Sequence, residues 1–121
     1  MLLPGLTCPQ QASVDEVANA TVKCLFRAVP AAVPGIAFLS GGQSAELASA
    51  RLNAMNFRSK SQLPWALAFS FARAIQQPAL EIWRGEEANV SAAQKALVHR
   101  ASCNRAARRG EYNAAMEGTR A

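Results

Sequence analysis

The sequence predicts an α/β fold with a parallel sheet, and three observations carry the prediction. Two short apolar runs, Ile36-Ala37-Phe38-Leu39 and Trp65-Ala66-Leu67-Ala68-Phe69, show no polar alternation, as expected for strands covered on both faces. Stretches with apolar residues at helical spacing precede, separate and follow these runs. Proline or glycine marks the changes of pattern. Strands alternating with helices give the order αβαβα, with parallel strands joined by right-handed crossovers.

Each element has a local cause. Ser13-Val14-Asp15-Glu16 reads as a capping box, in which the serine hydroxyl takes a backbone N–H and the glutamate reaches back. It opens an apolar stripe at Val14, Val17, Ala18, Thr21, Val22 and Leu25, which predicts a helix from about 14 to 28. Pro30 and Pro34 end that helix and lead into the first strand, which Ser40-Gly41-Gly42-Gln43-Ser44 closes. Ala45, Ala48, Leu52 and Met55 predict a helix from 45 to about 55, followed by a polar loop from Asn56 to Gln62. Pro64 introduces the second strand, which releases into Ser70-Phe71-Ala72-Arg73. Pro78 suits the first turn of a helix running to about Trp83, and Gly85 breaks it. From Glu86 to Arg109 the pattern predicts one long helix, acidic at its start and basic at its end, as the helix dipole favours. Residues 1–12 read as a loop, 13–112 as the αβαβα unit and 113–121 as a frayed tail.

Length and composition set the outer limits. The chain has 121 residues, enough for one domain, and is 50% hydrophobic, which excludes a disordered chain. Only 17% of its residues are charged, against about 25% in an average soluble protein. A net charge of +5 and a pI near 9.7 favour anionic partners without choosing among them. Cys8, Cys24 and Cys103 are odd in number and lack C-x-x-C spacing, so neither a disulfide framework nor a zinc site is indicated. The amino terminus lacks the pattern of a signal peptide, and the uncharged run from Ala28 to Ala45 is interrupted by Pro30, Pro34, Gly35, Gly41 and Gly42. The expectation is a cytoplasmic chain with no membrane span. Arg105, Arg108 and Arg109 have no interleaved aromatics, so they read as a solvated helix end, and no nucleic-acid partner is expected.

Parallel sheets gather functional groups at the carboxyl ends of their strands. There Gly41 and Gly42 let backbone N–H groups approach an anion, Ser40 adds a hydroxyl, and the helix starting near Ala45 adds its positive end. On the neighbouring strand Ser70 sits at the rim and Arg73 offers a planar fork of donors. The two ends are expected to converge on one phosphate. Lys23, Lys60 and Lys95 fall on a helix, a loop and a helix, away from any strand end where an amine nucleophile would act. His99, on the long helix, reads as a surface or half-buried residue rather than a base, and no Ser/His/Asp set is suggested.

The run from Val29 to Ser44, Val-Pro-Ala-Ala-Val-Pro-Gly-Ile-Ala-Phe-Leu-Ser-Gly-Gly-Gln-Ser, closely resembles class I fructose-bisphosphate aldolases. Leu52 to Asn56, Pro64 to Ala74, Trp83 to Val90 and Gly110-Glu111-Tyr112 continue the likeness in order. The resemblance implies a partial TIM (β/α)8 barrel: its last two strands, parallel, with their helices and the carboxyl-terminal helix. It implies an enzyme that cleaves fructose 1,6-bisphosphate to dihydroxyacetone phosphate and glyceraldehyde 3-phosphate through a lysine Schiff base, in glycolysis and gluconeogenesis, without a cofactor or metal. It assigns substrate phosphate binding to Ser40, Gly41, Gly42, Ser70 and Arg73, in agreement with the reading of the residues.

The resemblance covers about the last third of the family's chain, so the expectation is a carboxyl-terminal fragment. Met1 resembles the methionine of the family's Lys-Pro-Asn-Met segment, which puts the Schiff-base lysine three residues before Met1. No catalytic residue is therefore expected within these residues, and the chain alone is expected to be inactive. The alternative is a non-catalytic remnant that binds sugar phosphates or another protein. The family also implies a homo-oligomer for a full chain. Two barrel strands by themselves would leave both sheet edges unpaired and the Phe38, Leu39, Leu67 and Phe69 faces uncovered, which favours association. Ala72 stands where the family usually has glycine beside the phosphate.

Overall fold

The computed structural model describes residues 1–118. After an irregular segment at 1–13 the chain forms α1 (Val14–Ala28), β1 (Gly35–Phe38), α2 (Ala45–Arg58), β2 (Ala66–Phe69) and α3 (Arg73–Trp83). A short 3-10 turn (Glu87–Asn89) leads into α4 (Val90–Arg108), and a single helical turn, α5 (Ala115–Gly118), follows. The two strands pair in parallel, in a register that sets Ile36 opposite Leu67 and Phe38 opposite Phe69. The predicted αβαβα order is thus present, in a helix-rich α/β arrangement.

The capping box at the start of α1 forms as its sequence indicates. The Glu16 N–H donates to Ser13 Oγ at 3.2 Å, and the Ser13 N–H donates to Glu16 Oε2 at 2.7 Å. Those hydrogen bonds hold the exposed Glu16 carboxyl below its ordinary value. At the other end of the chain the sequence reading needs correction. Asn113 onward reads as frayed, yet Ala115–Gly118 is helical, and the rest of that tail, 119–121, lies outside the described residues.

Pro78 also departs from expectation. It lies inside α3 rather than in its first turn, because the helix already begins at Arg73. Lacking an N–H, it cannot donate to the carbonyl four residues back, a loss that α3 tolerates while packed along α4. The second helix runs on through Arg58, past the predicted loop start at Asn56, and the long final helix starts at Val90 rather than Glu86.

The strands are covered on one face only, which corrects the two-sided burial that their composition suggests. Phe38 and Leu67 are buried and Ile36 and Phe69 half-buried against the helices, whereas Gly35, Ala37 and Ala66 on the opposite face are exposed. Of the four large residues expected to lie uncovered, Leu39 alone is strongly exposed, at 71%. Each strand has one hydrogen-bonded neighbour among the described residues, so the outer edges of β1 and β2 are unpaired.

The core behind the sheet is made by Ala18, Val22, Leu52, Met55, Trp65, Leu67 and Phe71 with Phe38. Asn56 ties it together: its side-chain amide lies within 3.2–3.3 Å of the carbonyl oxygens of Leu52, Leu67 and Ala107, linking α2, β2 and α4. Gly110 follows α4 at φ +72°, and a Cβ there would lie 3.2 Å from both the nitrogen and the Cα of Phe57. Gly110→Ala therefore combines left-handed backbone strain with a backbone contact that cannot swing away. Denaturant titration is expected to show a loss of about 2 kcal/mol for this variant.

Candidate phosphate-binding site

The parallel register brings Ser40, Gly41 and Gly42, which follow β1, and Ser70, which follows β2, to the same end of the sheet, with Arg73 at the start of α3 just beyond. The Ser70 N–H continues the ladder past β2 by donating to the Phe38 carbonyl at 2.8 Å. Beyond β1 the chain turns sharply: Gly41 and Gly42 adopt φ of +61° and +80°, which glycine reaches without the strain a side chain would add. The Gln43 backbone and side-chain N–H groups both donate to the Ser40 carbonyl, at 3.2 and 2.7 Å, and close the turn. Ser40 is buried beneath it, while Gly41 and Ser70 face solvent.

Arg73 is the first residue of α3 rather than the end of a strand, and its side chain is exposed. Its Nη2 lies 3.8 Å from the point where a Cβ on Gly42 would stand. The glycine turn of one strand and the guanidinium following the next thus meet. Ala72 precedes α3 and supplies no side-chain cap, which leaves the start of that helix to another hydrogen-bond acceptor. By contrast, Ser44 caps α2 itself, its Oγ accepting from the Leu47 N–H at 3.2 Å. The α2 terminus is accordingly less open to an anion than the sequence suggests.

Ala72 has φ −98°, so the methyl group at this position imposes no left-handed strain. Leu6 approaches from the amino-terminal segment, with Cδ1 3.4 Å from the same Gly42 Cβ position. A neighbouring hollow of about 480 Å³ is lined by Met1, Leu3, Leu6, Phe38, Gly41 and Gln43. Beside the turn, buried Arg51 donates to Gln43 Oε1 at 3.0 Å and steadies the glutamine that closes it.

A second cluster is one that the sequence reading does not assemble. On α4, His99 and Cys103 are one turn apart, with Cys103 Sγ 3.7 Å from His99 Nε2. Glu117 from α5 lies 3.7 Å from the same nitrogen, forms an ion pair with Arg100, and accepts from the Tyr112 hydroxyl at 2.7 Å. The His-x-x-x-Cys spacing was the available signal; Glu117 falls in the segment that reads as frayed.

Burial raises the pKa of Glu117, but the hydrogen bonds from Arg100 and Tyr112, aided by the charges of Arg100 and His99, outweigh it and hold the carboxyl below its ordinary value. Burial, and then the bond to Glu117, push the Tyr112 phenol well above its ordinary range. A carboxyl whose folded-state value is depressed contributes stability above its unfolded value and loses it as pH falls through the folded one. Acidification below 4.5, the ordinary glutamate value, is therefore expected to release the α5 turn. Amide chemical shifts of residues 112–118 would report the release, and Glu117→Gln should flatten their pH dependence.

No helix among the described residues is long and apolar enough to cross a membrane. A family model described as fructose-bisphosphate aldolase class-I matches residues 1–121. Aldolase C of Rattus norvegicus is 49% identical over 118 residues, which are 98% of this chain and 32% of that protein. Aldolase B of Gallus gallus is 53% identical over 93% of this chain and 30% of its own length. The chloroplastic aldolase 1 of Chlamydomonas reinhardtii is 49% identical over the whole chain and 31% of its own length. Among solved structures, the aldolase of Plasmodium falciparum, in complex with TRAP and a small-molecule inhibitor, superposes with a TM-score of 0.84 at 43% identity, covering 90% of this chain and 31% of that one. The chain thus spans about a third of the length of these relatives. With a family match along every residue and a shared fold at this level of identity, the chain belongs to the class I fructose-bisphosphate aldolase family.

Proposed function

We propose that this chain supplies the substrate-phosphate part of a class I fructose-bisphosphate aldolase, built on the last two strands of its (β/α)8 barrel, with Ser40, Gly41, Gly42, Ser70 and Arg73 as the phosphate ligands. The observation that carries this reading is the 3.8 Å approach of Arg73 Nη2 to the Cβ position of Gly42. It brings a two-nitrogen cationic fork onto a glycine turn beside a helix start with no side-chain cap. Such a pocket takes a phosphate dianion through charge-assisted hydrogen bonds and leaves the carbon skeleton of the sugar to other residues.

The lyase chemistry of the family uses a lysine Schiff base, and this chain's lysines do not fit that role. Lys23 lies in α1, Lys60 in the turn after α2 and Lys95 in α4, all exposed and none in the segment directly after β1 or β2. On this reading the 121 residues bind the phosphate of fructose 1,6-bisphosphate or dihydroxyacetone phosphate without cleaving a carbon–carbon bond. We also infer a cytoplasmic setting, supported by three free cysteines of which Cys8 and Cys24 are exposed.

Calorimetric titration with dihydroxyacetone phosphate tests the reading. Saturable heat, suppressed by excess inorganic phosphate, is the expected result. Absence of heat, or heat unchanged by excess phosphate, would remove phosphate capture as the function of these residues.

A further inference from the structure

The cluster between α4 and α5 takes no part in phosphate capture, and its chemistry is that of a metal site. The ligand atoms of His99, Cys103 and Glu117 all lie within 4.8 Å of one another. Zinc bonds of about 2.3 Å to sulfur and 2.0–2.1 Å to nitrogen, at the tetrahedral angle, place such ligand atoms roughly 3.6 Å apart. The observed separations of 3.7 Å from His99 Nε2 to both Cys103 Sγ and Glu117 Oε2 are close to that spacing, and Cys103 and Glu117, within 4.8 Å of each other, would draw together on binding. We propose that His99, Cys103 and Glu117 form a binding site for a borderline-soft divalent ion of the zinc type.

The surroundings favour this over a catalytic Cys–His pair. Cys103 is fully buried, and burial raises its pKa, so the thiol by itself is a poor nucleophile. An incoming zinc ion displaces the thiol proton, and any proton on His99 Nε2, to solvent, so that the imidazole lends its lone pair and the charged Glu117 an oxygen. Two negative ligands then balance the 2+ ion.

Arg100 is the principal counterweight, since its guanidinium already holds Glu117 Oε2. It also donates to the Ala45 carbonyl at 2.9 Å and to Ser49 Oγ at 2.7 Å, so its position is fixed from the opposite side. A carboxylate has about four lone-pair sites, enough for Arg100, Tyr112 and one metal ion together. Arg100 and Tyr112 therefore orient the carboxylate, as supporting hydrogen bonds commonly do around zinc, while the arginine charge lowers affinity. His99 and Glu117 also line a hollow of about 510 Å³, with Glu46, Glu81, Lys95 and Arg100, which leaves room for water or a further oxygen ligand beside them. With the ion bound, α5 would be fastened to α4.

The test is cobalt(II) titration of the full chain carrying Cys8→Ser and Cys24→Ser, followed by zinc displacement. The expected result is a thiolate-to-cobalt charge-transfer band that saturates near one equivalent and disappears on adding zinc. Cys103→Ala should abolish the band, and His99→Gln should weaken binding at least about tenfold, with far-ultraviolet circular dichroism unchanged in both. No band in the parent protein, a band that survives Cys103→Ala, or unchanged affinity in a folded His99→Gln would each overturn the proposal. If Cys103→Ala fails to fold, the His99→Gln affinity and a Glu117→Gln variant, which leaves the buried thiol in place, decide the matter.

Discussion

Arg73→Ala is expected to weaken binding of dihydroxyacetone phosphate by about 10- to 100-fold, the equivalent of losing a charge-assisted hydrogen-bonded pair worth roughly 1.5–3 kcal/mol. The cause is local. Arg73 is the cation placed against the Gly41-Gly42 turn, with Nη2 3.8 Å from the Cβ position of Gly42. Being exposed at the first position of α3, it can be truncated with little effect on packing. Stability should therefore change by less than about 0.5 kcal/mol while binding falls. Arg73→Lys should recover only part of the affinity, because an ammonium supplies charge without the planar fork. Binding heats for the three proteins at one ionic strength would check the ordering. Equal affinities for parent and Arg73→Ala would place the phosphate elsewhere.

Trp65→Ala is expected to destabilise the chain by about 3–5 kcal/mol, a large fraction of the roughly 5–15 kcal/mol typical of a domain. Trp65 is 4% exposed, lies 5.3 Å centroid to centroid from Phe26 of α1, and donates its indole N–H to the Pro30 carbonyl at 2.8 Å. It thereby anchors the start of β2 to the connection between α1 and β1. Truncation opens a cavity the size of an indole and removes the bond that positions this connection. Trp65→Phe separates the two contributions: it keeps most of the apolar volume and should cost about 1–2 kcal/mol. Urea titrations of the two variants would measure both, and a Trp65→Ala loss below about 1 kcal/mol would show that the contact carries little of the fold.

The unpaired strand edges bear on how such experiments behave. β1 and β2 each hydrogen-bond to one neighbour among the described residues, and exposed Leu39 and Phe57 add apolar surface. An open parallel pair tends to recruit further strands. Self-association at high concentration is consistent with the proposed place of these strands in a closed barrel, where both edges would be paired.

Much of this architecture was legible in the sequence because local chemistry dictates it. The capping box at Ser13 and the stripe from Val14 fixed α1 at Val14–Ala28, and the apolar runs marked both strands to within a residue. The Ser-Gly-Gly turn and Arg73 were expected at the same sheet end, since parallel strands align their carboxyl termini. Where two local signals competed, packing decided. Pro78 is a helix-start signal by propensity, yet α3 begins five residues earlier and lies along α4. The uniformly apolar strands suggested two covered faces, but composition does not count the helices available to cover them, and here the exposed face is lined by Gly35, Ala37 and Ala66.

The sequence by itself determined the order of elements, the glycine turn and the family, because those depend on residue types at short spacing. Only the tertiary structure decided that Arg73 meets Gly42, that Ala72 is free of left-handed strain, and that Glu117 joins His99 and Cys103. Such contacts arise where packing brings together groups remote in sequence, and their desolvation and hydrogen bonding are set by neighbours that no local pattern specifies.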